Sequence, residues 1–265
     1  MPHLYNRMTI YGAQIGAACG SSTTSNCPDK YGCGSTCPDF IIKRHDTVPP
    51  FKVSVEDCDG PLDLSDESIV VEVNIWANAK LKRALTEDDD YFALADGIGF
   101  DQVLAGDIIV IDRARLPEHM LVLGFDETNK LIQVQRGYHG TGTYDYPKGT
   151  GLKIFKEINA VGAVEFNRED ILNVDGTTTD QLLQTFLVYN WAANDTCLPG
   201  CYMLEFKVLK VAIQVLTALD TSIVPSFTPS IADFGCETVG AEWVRRFPVN
   251  NSGFVIQIID SPTAG

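Results

Sequence analysis

A run of alternating apolar and polar residues, broken by one tight turn, constrains this chain more than anything else in it. Phe51, Val53 and Val55 alternate with Lys52, Ser54 and Glu56, the period-2 pattern of a strand with one buried face. Asp57-Cys58-Asp59-Gly60 then supplies turn chemistry, with Gly60 able to take a positive φ at no steric cost. A second alternating stretch, residues 69–76 (IVVEVNIW), follows the turn. Residues 40–50 lead in as an extended segment that bends at Pro49-Pro50. Strands of this kind bury their apolar face against a second sheet, so the expected architecture is a mainly β, antiparallel Ig-like β-sandwich.

The other half of that sandwich lies far along the chain. Residues 185–191 (TFLVYNW) read as a strand, residues 195–200 (DTCLPG) as a turn and residues 202–210 (YMLEFKVLK) as a further alternating strand. Residues 162–166 return the chain to the sandwich, residues 179–186 have the capping residues of a short helical turn, and residues 243–248 and 253–259 read as closing strands. Taken in order, R-x-D-T-x-P-P at residues 44–50, D-x-D-G and L-D-L within 57–64, W…D-T…P-G-x-Y-x-x-E-F-x-V at 191–208 and F-P…G-F-x-I-x-I at 247–258 form one pattern. This pattern resembles the N-terminal β-sandwich of phage baseplate upper proteins and related tail proteins. The resemblance implies a virion structural protein of the tail or baseplate. The chain departs from it by a large insertion at residues 80–156 and a smaller one at residues 212–240.

The insertion reads as a β unit of its own. Asp88-Asp89-Asp90-Tyr91-Phe92 opens it, strands follow at residues 108–112, 118–124, 131–135 and 151–155, and a Gly-rich stretch spans residues 137–142. Its pattern, G-D-x-I-x-I-D…E-x-M-x-V…I-x-V-x-R-G-x-x-G-T, is carried by Gly106, Asp107, Ile111, Asp112, Glu118, Met120, Val134, Arg136, Gly137, Gly140 and Thr141. It resembles a small β-barrel module common in phage structural proteins, with Tyr144-Asp145-Tyr146-Pro147 standing where that module has a histidine. The chain thus divides into a Cys-rich N-terminal arm (1–38), a discontinuous sandwich (39–79 and 157–265) and an inserted small β-barrel (80–156).

Residues 1–37 are rich in Gly, Ser, Thr and Cys and lack a stable hydrophobic period, so alone they cannot bury enough to order themselves. Cys19, Cys27, Cys33 and Cys37 lie in this arm with spacing C-x7-C-x5-C-x3-C. Four thiolates suit a tetrahedral structural zinc, and two disulfides would staple the same segment. Only Cys33/Cys37 has the close spacing usual for zinc, and both readings stay open alongside free thiols. Cys197 and Cys201 bracket the Leu198-Pro199-Gly200 turn, and Cys236 in the second insertion is placed to staple that loop back to them. No C-x-x-C motif is present, so these cysteines read as structural rather than redox-catalytic.

Charge narrows the partners. Thirty-five acidic residues against twenty basic ones give a formal net charge of −15, which disfavours nucleic-acid binding because phosphate contact relies on clustered Lys and Arg. No run of about eighteen apolar residues marks a membrane span. Ile15–Cys19 resembles a lipoprotein cleavage box, but the stretch before it has no apolar core region.

Catalytic chemistry finds no foothold in the motifs. His3, His45, His119 and His139 form neither H-E-x-x-H nor H-x-x-E-H, and no G-x-S-x-G occurs. The glycines at 137–142 lack Gly-Lys-Ser/Thr and a following helix, so they read as turn residues and not as a phosphate loop. Asp88-Asp89-Asp90 lacks the Gly and distal Glu of an EF-hand and reads as a solvated acidic turn. The expectation is a non-enzymatic virion component, assembled in the host cytoplasm, that docks to other virion proteins and to copies of itself, with no nucleic-acid or membrane partner. The alternatives are capsid decoration, cement or a neck protein, and a saccharide-binding receptor module using Tyr138, Tyr144 and Tyr146.

Overall fold

A computed structural model describes residues 8–11, 38–57, 60–95, 100–112, 117–156, 161–211, 241–248 and 253–260. In chain order the strands are β1 (Met8–Tyr11), β2 (Phe40–Lys43), β3 (Phe51–Asp57), β4 (Gly60–Pro61), β5 (Ile69–Lys80), β6 (Tyr91–Phe92), β7 (Ile108–Ile111) and β8 (Glu118–Asp126). They continue with β9 (Leu131–Gln135), β10 (Gly151–Phe155), β11 (Ala163–Leu172), β12 (Thr178–Tyr189), β13 (Gly200–Val211), β14 (Ala241–Phe247) and β15 (Phe254–Ile259). Among the described residues the only helical pieces are two short 3₁₀ turns, Phe100–Gln102 and Tyr138–Gly140.

Two sheets face each other as a β-sandwich. One has the order β1-β3-β12-β11, with β4 on β3; the other runs β2-β15-β13-β5 and carries β14 beside β13. Phe51, Val53 and Val55 are fully buried between them, as their alternation requires, against Val71, Val73 and Ile75 of β5 and Leu204, Phe206 and Val208 of β13. Phe51 is the hub of this core: its ring stacks on Phe206 at 6.0 Å and meets Phe40 and Phe254 edge-on at 5.3 and 5.2 Å.

Strand β5 joins the sandwich to the inserted barrel without a break. Its first part pairs with β13 from Ile69 to Trp76, and its last part pairs with β10 from Trp76 to Lys80. Because side chains alternate along a strand, one face of β5 supplies Val71, Val73, Ile75 and Ala77 to the sandwich core and then Ala79 to the barrel core. From β10 the sheet continues through β7, β8, β9 and β6. It closes where Leu94, just past β6, bridges Leu81, just past β5, with Lys82 donating to the Ala93 carbonyl at 2.9 Å and Ala95 to the Lys80 carbonyl at 2.8 Å. Closure leaves this end of the sheet without a free edge.

The structure corrects the sequence reading at four places. Residues 179–186 form no helical turn but lie within the twelve-residue strand β12. Strands β11 and β12 are far longer than residues 162–166 and 185–191, and they form a continuous hairpin. The sandwich is mixed, since β2 runs parallel to β15. Part of the N-terminal arm, Met8–Tyr11, pairs with β3, because β3 offers an edge that a short extended segment can satisfy.

Candidate functional site

The barrel is fixed by a buried charge centre. Glu118 at the start of β8 has no side-chain exposure, and Arg136, just past β9, has 4%. The guanidinium forks onto the carboxylate, Nε to Oε1 and Nη2 to Oε2 at 2.9 Å. Arg136 also donates to the carbonyls of Thr86 at 2.7 Å, Asp89 at 3.2 Å and Tyr144 at 2.8 Å, while the Tyr144 amide donates to Glu118. A planar five-donor group suits this role: one side chain ties two loops to one carboxylate. The Gly-rich stretch beside it is turn chemistry. Gly137 has φ +61°, and a Cβ there would stand 2.8 Å from the Thr141 carbonyl oxygen. Asp89 of the acidic run accepts from the Thr86 amide and hydroxyl at 2.7 and 2.8 Å, and these bonds hold its carboxyl below the usual range.

A second buried pair locks barrel to sandwich. Lys156 donates to Asp107 at 2.7 Å and to the Gln102 carbonyl, with 10% and 2% side-chain exposure for the pair. Gln102 in turn donates to the Pro199 carbonyl at 3.1 Å, on the turn before β13. Trp76, Ile108, Val110 and Phe155 form a small apolar cluster on the outward face of the shared sheet. At the far side of the sandwich two of the sequence pieces quoted above meet. The His45 backbone amide donates to the Thr196 carbonyl at 3.2 Å, Thr196 Oγ1 to the Asp46 carbonyl at 3.0 Å and Arg44 Nε to the Cys197 carbonyl at 2.8 Å. Asp195 accepts from the Tyr189 hydroxyl and the Ala192 amide, each at 2.6 Å, and burial pushes the tyrosine hydroxyl well above its ordinary pKa.

With the Glu118–Arg136 and Asp107–Lys156 pairs committed to holding the barrel and its joint to the sandwich, the surface with most to offer a partner is the β11–β12 hairpin. Its root is ordinary sandwich: Thr185, Phe186, Leu187, Val188 and Tyr189 are buried. Past Gln184 the ribbon leaves the core, and residues 168–172 and 178–181 are exposed on both faces. A bulge at Asn167/Arg168 marks the departure, a device that bends a strand away from its sheet. The tip carries Leu172 at 72% and Val174 at full exposure. It is nevertheless ordered. Asn173 exchanges backbone hydrogen bonds with Thr177 and Gly176, its amide side chain donates to Thr177 and Thr179, and Asp175 accepts from Thr177.

Of the site residues expected from sequence, Cys19, Cys27, Cys33, Cys37 and Cys236 lie outside the described residues. Cys197 is a free thiol, whereas Cys201 is disulfide-bonded, so Cys197 is no part of a staple at this turn. The reason is visible locally: Gly200 and Cys201 already belong to β13, paired with β15, while Cys197 remains in the loop that Arg44 and Thr196 hold. The three tyrosines do not gather. Tyr144 and Tyr146 pack in or against the barrel core, and Tyr138 packs against the Trp76 cluster. The sequence hides the exposed hairpin because Asp180 and Thr179 resemble a helix cap; the signal that marks it is Asp175-Gly176 between two polar, β-branched runs.

No protein-family model matches this chain, and no curated protein matches it.

Proposed function

We propose that this chain is a non-enzymatic structural component of a bacteriophage virion, placed in the tail or baseplate, where it acts as a docking adaptor between subunits. The observation that carries the reading is the build of the chain. A sandwich and a barrel share the unbroken strand β5, so the two cores form one continuous platform. From that platform an ordered hairpin projects with apolar residues at its tip. Such a shape suits contact with neighbours: rigid elements hold their surfaces in place, and a preorganised protrusion loses little entropy on docking. The sequence resemblance to baseplate sandwiches supports the same reading by analogy of fold. Cys19, Cys27, Cys33 and Cys37 enter this reading as a structural zinc site, as disulfides or as free thiols.

Separating tails from heads of the purified virus tests the reading. The chain is expected in the tail fraction. Recovery with heads moves it to capsid decoration, and absence from both fractions overturns the virion role.

A further inference from the structure

Two sheet edges of this molecule carry complementary patterns. Among the described residues β11 has a hydrogen-bonded neighbour only on the β12 side, and β14 only on the β13 side. Strand β11 ends Arg168-Glu169-Asp170-Ile171-Leu172; read in the opposite direction, β14 gives Phe247-Arg246-Arg245-Val244-Trp243. Neighbouring residues on a strand point to opposite faces. Glu169 and Asp170 therefore lie on opposite faces of the hairpin, and Arg245 and Arg246 on opposite faces of β14. The register of β14 agrees: Arg245 stands opposite Val208, whose side chain is in the sandwich core, and Arg246 opposite Lys207, on the outward face.

We propose that β11 of one copy adds antiparallel to β14 of a second copy. Glu169 then lies opposite Arg246, Asp170 opposite Arg245, Ile171 opposite Val244 and Leu172 opposite Trp243. This names a partner surface for the assembly role above and rests on that reading for its setting in the particle. Each pair joins opposite charges or two apolar residues, the combinations that stabilise directly opposed positions in a ladder. Ile171, Leu172 and Val244 are 41%, 72% and 38% exposed in the single chain, so the contact removes apolar surface from water on both sides.

Charge selects this edge over the rest of a second copy. The projecting arm holds Glu169, Asp170, Asp175 and Asp180 against Arg168 alone, on a chain of net charge −15. Most of a second copy's surface repels such an arm. Adjacent cations also occur at Lys43-Arg44 and Lys82-Arg83. The first pair ends the four-residue strand β2, where Arg44 is held by the Cys197 carbonyl and faces Asp260 at 3.6 Å. The second is followed closely by Glu87 and Asp88. Strand β14 offers seven residues, and among the described residues Arg246 donates through Nη1 to Glu205 at 2.9 Å. Because β11 and β14 are different surfaces, the contact is head-to-tail and builds a ring, or an open chain where the rotation does not close.

Sedimentation and light scattering of the full-length chain test the proposal. The expected result is concentration-dependent association beyond the 29.0 kDa monomer that added salt weakens. D170K is expected to weaken it by about tenfold, and mixing D170K with R245E is expected to restore it, since the new charges again oppose across the contact. A benzophenone side chain at Leu172 should cross-link to the peptide containing Trp243 of an isotope-labelled second copy. A chain that stays monomeric at every concentration, or an oligomer that D170K leaves unchanged and whose cross-links avoid β14, overturns the proposal. In the second case the assembly role stands. Absence of the chain from purified particles would overturn that role and leave the self-association intact.

Discussion

Arg136 and Glu118 form a two-point ion pair inside the barrel, with 4% and 0% side-chain exposure. The pair is satisfied on both sides, since the arginine also holds three carbonyls and the carboxylate also accepts from the Tyr144 amide. Taking both charges out of water is costly, so the pair itself adds little net stability; removing one partner strands the other. E118A is therefore expected to cost about 3–5 kcal/mol in urea unfolding. R136M should lose at least as much as E118A, because it strands the carboxylate with one backbone donor and also leaves three carbonyls without theirs. Equal, small losses for both would show that water reaches the site.

Cys201 and Cys197 are expected to behave oppositely despite their closeness in sequence. Cys201 is disulfide-bonded and sits in β13, so C201S should cost about 2–5 kcal/mol in oxidising buffer and almost nothing after reduction of the wild type. Cys197 is a free, half-buried thiol in a loop held through backbone atoms, so C197S should change stability by less than about 0.5 kcal/mol. Unfolding curves with and without reductant check both.

What could be read from sequence follows from where the burial is one-sided. Phe51, Val53 and Val55 announced β3 because each alternate residue goes fully into one core, and residues 131–135 and 151–155 announced β9 and β10 for the same reason. The hairpin failed that test for a physical cause. Residues 168–172 and 174–181 are exposed, so nothing in their solvent contact enforces a period of two. The continuity of β5 is also hidden, since Trp76 interrupts the polar face of Glu72, Asn74, Asn78 and Lys80 just where the sandwich ends. Glu118 and Arg136 appeared only as positions in a pattern. That they meet depends on β8 and β9 pairing, a non-local fact no local window contains.

Acid is expected to destabilise the barrel through His119. The residue is 1% exposed and its ring lies edge-on to His139 at 6.2 Å. Burial holds the imidazole below its ordinary value of 6.5, the neighbouring His139 adds to that, and Asp112 opposes it. The unfolded chain therefore binds a proton that the folded chain resists. Stability should be full above about pH 7 and fall as the pH drops below 6.5 toward the depressed folded value. Urea midpoints measured across that window should slope downward for the wild type, and the slope should flatten in H119Q. An unchanged slope in H119Q would assign the acid sensitivity to other groups.

The β11–β12 hairpin should divide into halves of very different stability. Leu187, near its root, has no exposure and belongs to the sandwich core, so L187A should cost about 2–5 kcal/mol. Leu172 and Val174 at the tip contact mainly water, so L172S and V174S should stay within about 0.5 kcal/mol of the wild type in the monomer. A two-stranded ribbon without a packed face is marginal by itself, so its amides should exchange through local opening, well before global unfolding. Asn173 is the exception worth measuring. Its side chain bonds Thr177 and Thr179 across the turn, so N173A should speed exchange of the distal amides while leaving the global midpoint in place. Loss of the global midpoint in N173A would mean that the tip is coupled to the core, contrary to the exposure of residues 168–172 and 178–181 between them.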